Sequence, residues 1–91
     1  MTTTTNTSTR ATMLDEDNMI IDGVEIMRGM SVRYDIEAYG LIAVGNGLID
    51  WDQSKRFCIY QKWTNHKIWI LQEYCRFIEE NGRVLVKYMM P

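Results

Sequence analysis

The chain predicts an all-β fold, a small barrel of about five short antiparallel strands. Three observations predict it. The apolar runs are short and evenly spaced, and turn pairs such as Asp22-Gly23 and Asn81-Gly82 separate them. Several runs, FCIYQKW at 57–63 above all, are β-branched and aromatic. The one proline, Pro91, is terminal, so none interrupts an interior run.

The elements follow in order. Residues 1–18 hold only Ala11, Met13 and Leu14 as apolar residues after Met1. Such a stretch buries too little surface to offset its ordering entropy, so a disordered Thr-rich tail is expected there. A single small β-rich domain is expected over 19–91. Asp22-Gly23 is a turn inside MIIDGVEIM. The alternation of Met30, Val32, Tyr34 and Ile36 has the period of a half-buried strand. Residues 37–40 read as a loop, LIAV at 41–44 as a buried strand, and Gly45-Asn46-Gly47 as a turn. Residues 48–56 read as a short strand running into a polar loop. Residues 57–63 form the next strand, and TNHK at 64–67 is rich in turn formers.

Residues 67–89 admit two readings. On a helical wheel of about 100° per residue, Ile68, Ile70, Leu71, Tyr74, Cys75, Phe77 and Ile78 fall within one half-turn, with Trp69 the exception. That is the alternative fold, α+β, with a helix at 65–80 packed on an antiparallel sheet. Against it stands Asn81-Gly82 between two apolar runs, the strongest local hairpin signal. A two-residue turn there pairs Glu80 with Arg83, Ile78 with Leu85 and Phe77 with Val86. It also sets Arg76 opposite Lys87, an unfavourable pair. The barrel reading keeps a one-turn helix near 72–75 and short strands around it.

A glycine before an alternating strand, a loop ending in Tyr39-Gly40-Leu41-Ile42, two strands around a tight turn, a helical turn and a last short strand form one pattern. Over residues 24–89 it resembles the SH3-like β-barrels of the Tudor, chromo-barrel and bromo-adjacent type. WILQEYCRFI is similar to the element that class places between its fourth and fifth strands. The resemblance implies a binding module. In Tudor-type barrels a cage of aromatics holds a methylated cation by cation–π attraction. The residues at comparable places are Tyr34, Tyr39, Tyr60 and Trp63, with Asp35 as counter-charge.

Composition narrows the function. Nine acidic residues face three basic ones up to Ser54, and seven basic residues face three acidic ones from Lys55 on. The halves therefore carry −6 and +4, read as two complementary halves of one fold. Cys58 and Cys75 lack metal-ligand spacing and read as reduced thiols. No apolar run matches a secretion signal or a membrane span, so an intracellular protein of cytoplasm or nucleus is expected. His66 is the only histidine, and Asp50 and Asp52 flank Trp51. These read as solvated groups, so neither an enzyme nor a metal or cofactor site is expected.

Eight Trp and Tyr residues exceed what so small a core buries, and such residues are enriched at binding hot spots. The expected function is non-enzymatic: a protein-interaction module, acting as an adaptor, reader or inhibitor, with Tyr39 and Trp63 on its binding face. The chain is expected to be a monomer or a weak homodimer paired through a strand edge. The alternative is a nucleic-acid binder that uses Lys55, Arg56, Lys62, Trp63 and Lys67, cations for phosphate and an aromatic for stacking.

Overall fold

Three two-residue turns of one type set the plan of the molecule. The structure is a computed structural model that describes residues 10–91. At Asp22-Gly23, Tyr39-Gly40 and Asn81-Gly82 both residues have positive φ. Such type I′ turns match the right-handed twist of the strands they join.

The first turn closes a three-stranded meander of β1 (Ala11–Asp15), β2 (Asn18–Ile21) and β3 (Val24–Met27). The second joins β4 (Ser31–Ala38) to the long β5 (Leu41–Trp51). β6 (Phe57–Tyr60) and β7 (Lys67–Ile70) follow on the far side of β5. A 3-10 turn over Gln72–Tyr74 leads to β8 (Cys75–Glu80), and the third turn leads to β9 (Arg83–Met89). β9 lies parallel to β4, which gives a six-stranded sheet in the order β7-β6-β5-β4-β9-β8.

The class is all-β, but no barrel closes among the described residues. The described residues form nine strands in two open sheets, not about five, and one pair of them is parallel. The helix of the α+β alternative does not form. Residues 67–80 are extended except at Gln72–Tyr74. The hairpin register is the one Asn81-Gly82 dictates, with Glu80 opposite Arg83, Ile78 opposite Leu85, Phe77 opposite Val86 and Arg76 opposite Lys87.

Three further readings are corrected. Residues 11–15 and Asn18, assigned by composition to the tail, belong to β1 and β2; residues 1–9 lie outside the described part. Gly45-Asn46-Gly47 is not a turn but the middle of β5. Both glycines are there for close approach. A β-carbon on Gly45 would sit 2.6 Å from Tyr34 Oη, and one on Gly47 2.6 Å from Ile59 Cγ2. Residues 41–44 form a strand, but an exposed one, because β5 overhangs β6 there.

The two sheets share one core. Met19, Ile21, Val24 and Ile26 of the small sheet meet Val32, Ile36, Ile49, Phe77 and Val86 of the large one. An aromatic series runs through it, with Trp51–Phe57 ring centroids 6.2 Å apart and Phe57–Phe77 5.1 Å apart. Arg28 holds one end of the small sheet. It stacks on Trp51 at 4.6 Å, pairs with Asp17 and Asp50, and donates to the carbonyls of Glu16 and Trp51. Among the described residues, no helix is long and apolar enough to cross a membrane.

Candidate functional site

The strand edges of the large sheet differ, and the difference locates the site. Antiparallel ladders alternate, so every second residue aims its N–H and C=O away from its partner strand. The turn at Asn81-Gly82 closes on Glu80 and Arg83, which leaves Cys75, Phe77 and Glu79 aimed at the outer edge of β8. Side chains cover that edge. The Phe77 N–H donates to Asp22 Oδ2 at 2.8 Å, and the Cys75 carbonyl accepts from Arg10. Arg10 in turn grips both Asp22 oxygens, at 2.6 and 3.0 Å, and donates to the Gln72 carbonyl at 2.7 Å. Edge strands left uncovered invite pairing with other chains.

β5 carries such an uncovered edge. The turn at Tyr39-Gly40 closes on Ala38 and Leu41, so the odd residues of β5 bond to β4 and the even ones face away. Leu48 and Asp50 lie opposite Tyr60 and Cys58 of β6. The Asn46 carbonyl accepts from Gln61 Nε2 at 2.7 Å. Among the described residues, Ile42 and Val44 have no strand beyond them. Their side chains are 70% and 58% exposed, and Leu41 beside them is 73% exposed. Tyr39 ends this edge at the hairpin tip with 77% exposure, and Trp63, in the β6–β7 loop at the other end, is 90% exposed. The result is an apolar margin some five residues long with free backbone groups.

The residues suggested by the Tudor-like pattern do not meet in one cage. Tyr34 is half-buried against the core and lies across Gly45. Asp35 points to the opposite face of the same strand, opposite Val44 and Lys87. Tyr39 is at the hairpin tip. Only Tyr60 and Trp63 come together, in a shallow groove with Asn46, Gly47, Leu48 and Lys62. Trp63 sits in the loop beyond β6, not in the strand.

The basic set gathers around the β6–β7 hairpin. Arg56 pairs with Asp52 at 2.7 Å and lies over the Trp69 ring at 5.3 Å. Lys62 lies 5.9 Å from the Trp63 ring centroid. Lys67 stands opposite Tyr60, and Lys55 is exposed in the preceding loop. Of the four ion pairs among the described residues, only Arg56–Asp52 joins the acidic and basic halves. The halves are therefore not held together by ion pairing, and most of these cations face solvent.

The remaining titratable candidates have structural partners. Asp50 holds Arg28 and accepts from the Trp51 N–H, whereas Asp52 accepts from the N–H groups of Ser54 and Arg56. Those backbone bonds hold Asp52 below the ordinary carboxylate range. His66 is exposed in the β6–β7 loop, where its carbonyl accepts from the Gln61 N–H. Gln61 lies three residues along from Cys58, the residue opposite Asp50, so this separates His66 from the aspartates by about 10 Å of strand. Cys58 and Cys75 are buried free thiols, and burial raises both, Cys75 to about 11. Among the described residues, no group of three His, Cys, Asp or Glu side chains is placed to hold a metal ion.

Sequence reasoning picked out Tyr39 and Trp63 but missed Leu41, Ile42 and Val44 between them. β5 pairs with β4 along the whole of that strand, from Ser31–Leu48 to Ala38–Leu41, while β6 covers only Leu48–Trp51, which leaves these residues at a bare edge. The overhang of β5 over β6, however, depends on strand lengths that the sequence pattern did not fix. Comparison of the chain with protein-family models, with curated proteins and with solved structures finds no match.

Proposed function

We propose that this chain is a non-catalytic protein-interaction module that takes up another polypeptide strand along the open edge of β5. The observation that carries this reading is the edge itself. Ile42 and Val44 offer free N–H and C=O groups, and five exposed large apolar or aromatic side chains line the same margin. Strand addition uses such an edge: main-chain bonds supply affinity and alternate side chains supply specificity.

Tyr39 supports the reading from another direction. It occupies a left-handed conformation, φ 55°, where Asn or Gly is favoured, and it gains no burial there. A bulky residue in a sparsely populated backbone region is the kind of outlier from which a functional hypothesis starts. The run from β4 to β9, with a helical turn before the penultimate strand, supports kinship in plan with SH3-like barrels, opened instead of closed.

The test is a photo-crosslinking amino acid placed at Val44 in the full chain and irradiated in cells that express it. Crosslinks to polypeptide support the module. Crosslinks to nucleic acid alone overturn it and favour the second reading. In that reading Lys55, Lys62 and Lys67, which form no ion pair among the described residues, bind phosphate around the Trp63 and Trp69 rings. Its signature is an affinity that falls steeply with salt.

A further inference from the structure

We propose that the strand which pairs with the open edge of β5 is the same edge of a second copy of this chain, running antiparallel about a two-fold axis at Ala43. This inference rests on the reading of that edge as a protein-binding surface.

Four features of the edge are self-complementary, as a two-fold interface requires. The first is backbone bonding. Among the described residues nothing pairs with the outward donors of Ile42 and Val44, and the same two residues carry the unpaired acceptors, so two copies satisfy each other without a third element. The second is apolar matching. Ile42 and Val44 share the outer face of the sheet, and the two-fold sets them against Ile42 and Val44 of the second copy.

The third is the placement of the aromatics. Tyr39 and Trp63 lie at opposite ends of the edge in one chain and cannot act together there. Antiparallel pairing carries the Tyr39-Gly40 turn of each copy to the loop that holds Trp63 in the other. The two most exposed aromatic side chains of the molecule then meet twice, once at each end.

The fourth is charge. Asp35 and Glu37 flank the hairpin tip on β4, opposite Val44 and Ile42. Lys62, His66 and Lys67 surround the loop that this tip approaches in the second copy. Acidic tip meets basic loop at both ends. This gives the opposite charges of the two sequence halves a role between chains that ion pairing within one chain does not supply.

The other edges of the large sheet do not compete. Asp22 and Arg10 cover β8. β7 is four residues long and begins with Lys67, a common protection of an edge.

The experiment is sedimentation equilibrium of the purified full chain. The weight-average mass is expected to rise from one chain to two between about 10 μM and 1 mM, the range of a small interface. The double variant Ile42→Lys, Val44→Lys is expected to stay at one chain throughout. Both positions are exposed, so its circular dichroism and melting should match the parent. Glu37→Lys and Lys62→Glu are each expected to associate about tenfold more weakly, and an equimolar mixture of the two to recover, because a mixed dimer restores opposite charges at both ends. A parent chain that stays single at 1 mM overturns the inference, as does a dimer indifferent to the double lysine substitution. The Val44 photoprobe separates the two levels. A single chain whose probe captures a different polypeptide overturns the dimer and leaves the module. A probe that captures no polypeptide overturns both.

Discussion

The Asp22 carboxylate accepts from the Phe77 N–H at 2.8 Å, and that bond joins the small sheet to the edge of the large one. Asp22 sits in the β2–β3 turn and Phe77 in β8, 55 residues apart. Arg10 completes the clip by holding the same carboxylate and the Cys75 carbonyl. One ion pair therefore both ties the layers together and closes a strand edge.

Asp22→Ala should destabilise the fold by about 2 kcal/mol, since it leaves the Phe77 N–H and the Arg10 guanidinium without their partner. The pair is partly wet, with side chains 32% and 18% exposed, which keeps the cost moderate. Urea unfolding measures it. Arg10→Ala should cost a similar amount, and the double variant clearly less than the sum of the two.

Acid should weaken the protein through the same residue. Burial alone would raise the Asp22 pKa, but the Arg10 and Phe77 bonds outweigh it and hold it below 3.8. A carboxylate depressed in the folded state stabilises above its unfolded pKa, and that contribution is lost as pH falls through the folded value. Stability should therefore drop below about pH 4. Asp15 and Asp52, lowered mainly by backbone hydrogen bonds, add in the same direction. Asp22→Asn should flatten the acid limb of a stability–pH curve without abolishing it.

Gly47→Ala should cost more than Gly45→Ala. The new methyl at 47 meets Ile59 in the core and the Tyr60 carbonyl at 3.1 Å, neither free to retreat. Overpacking of that kind costs about 1–3 kcal/mol. At 45 the obstacle is the far end of the half-buried Tyr34 ring, which can swing. Melting temperatures of the two variants, and of Gly45→Ala combined with Tyr34→Ala, check the order.

Tyr39→Asn should stabilise the monomer by about 0.5–1 kcal/mol, because Asn tolerates the left-handed conformation at little cost and Tyr39 has no burial to lose. The same variant should weaken chain–chain association in sedimentation. A gain in stability with unchanged association would show that the ring contributes nothing at the edge.

Cys75 should resist alkylation in the native state. With its thiol pushed up to about 11 by burial, only about one molecule in a thousand is thiolate at pH 8. Cys58, also buried and raised, should behave likewise. Iodoacetamide labelling should be slow for both until urea unfolds the chain, when both should react together.

By itself the sequence determined the local events. Asn81-Gly82 imposed its hairpin and the register of every pair from Glu80–Arg83 to Arg76–Lys87, because only residues tolerant of positive φ make that turn. The helical wheel of 67–80 supported an alternative that did not form, because the turn at Gln72–Tyr74 divides the segment into two strands whose apolar residues answer to different neighbours. What local pattern could not supply were the long-range choices. Tertiary structure paired β9 in parallel with β4, left the barrel open, and turned Gly45 and Gly47 from turn formers into room for Tyr34 and Ile59. It drew residues 11–15 into a strand by offering them β2 as a partner, a gain invisible to their polar composition. It also decided which edge is covered and which is bare, because that depends on Arg10 and Asp22 reaching across 65 and 55 residues of chain. Strand ends meet through space, and their lengths become consequential only once their neighbours are in place.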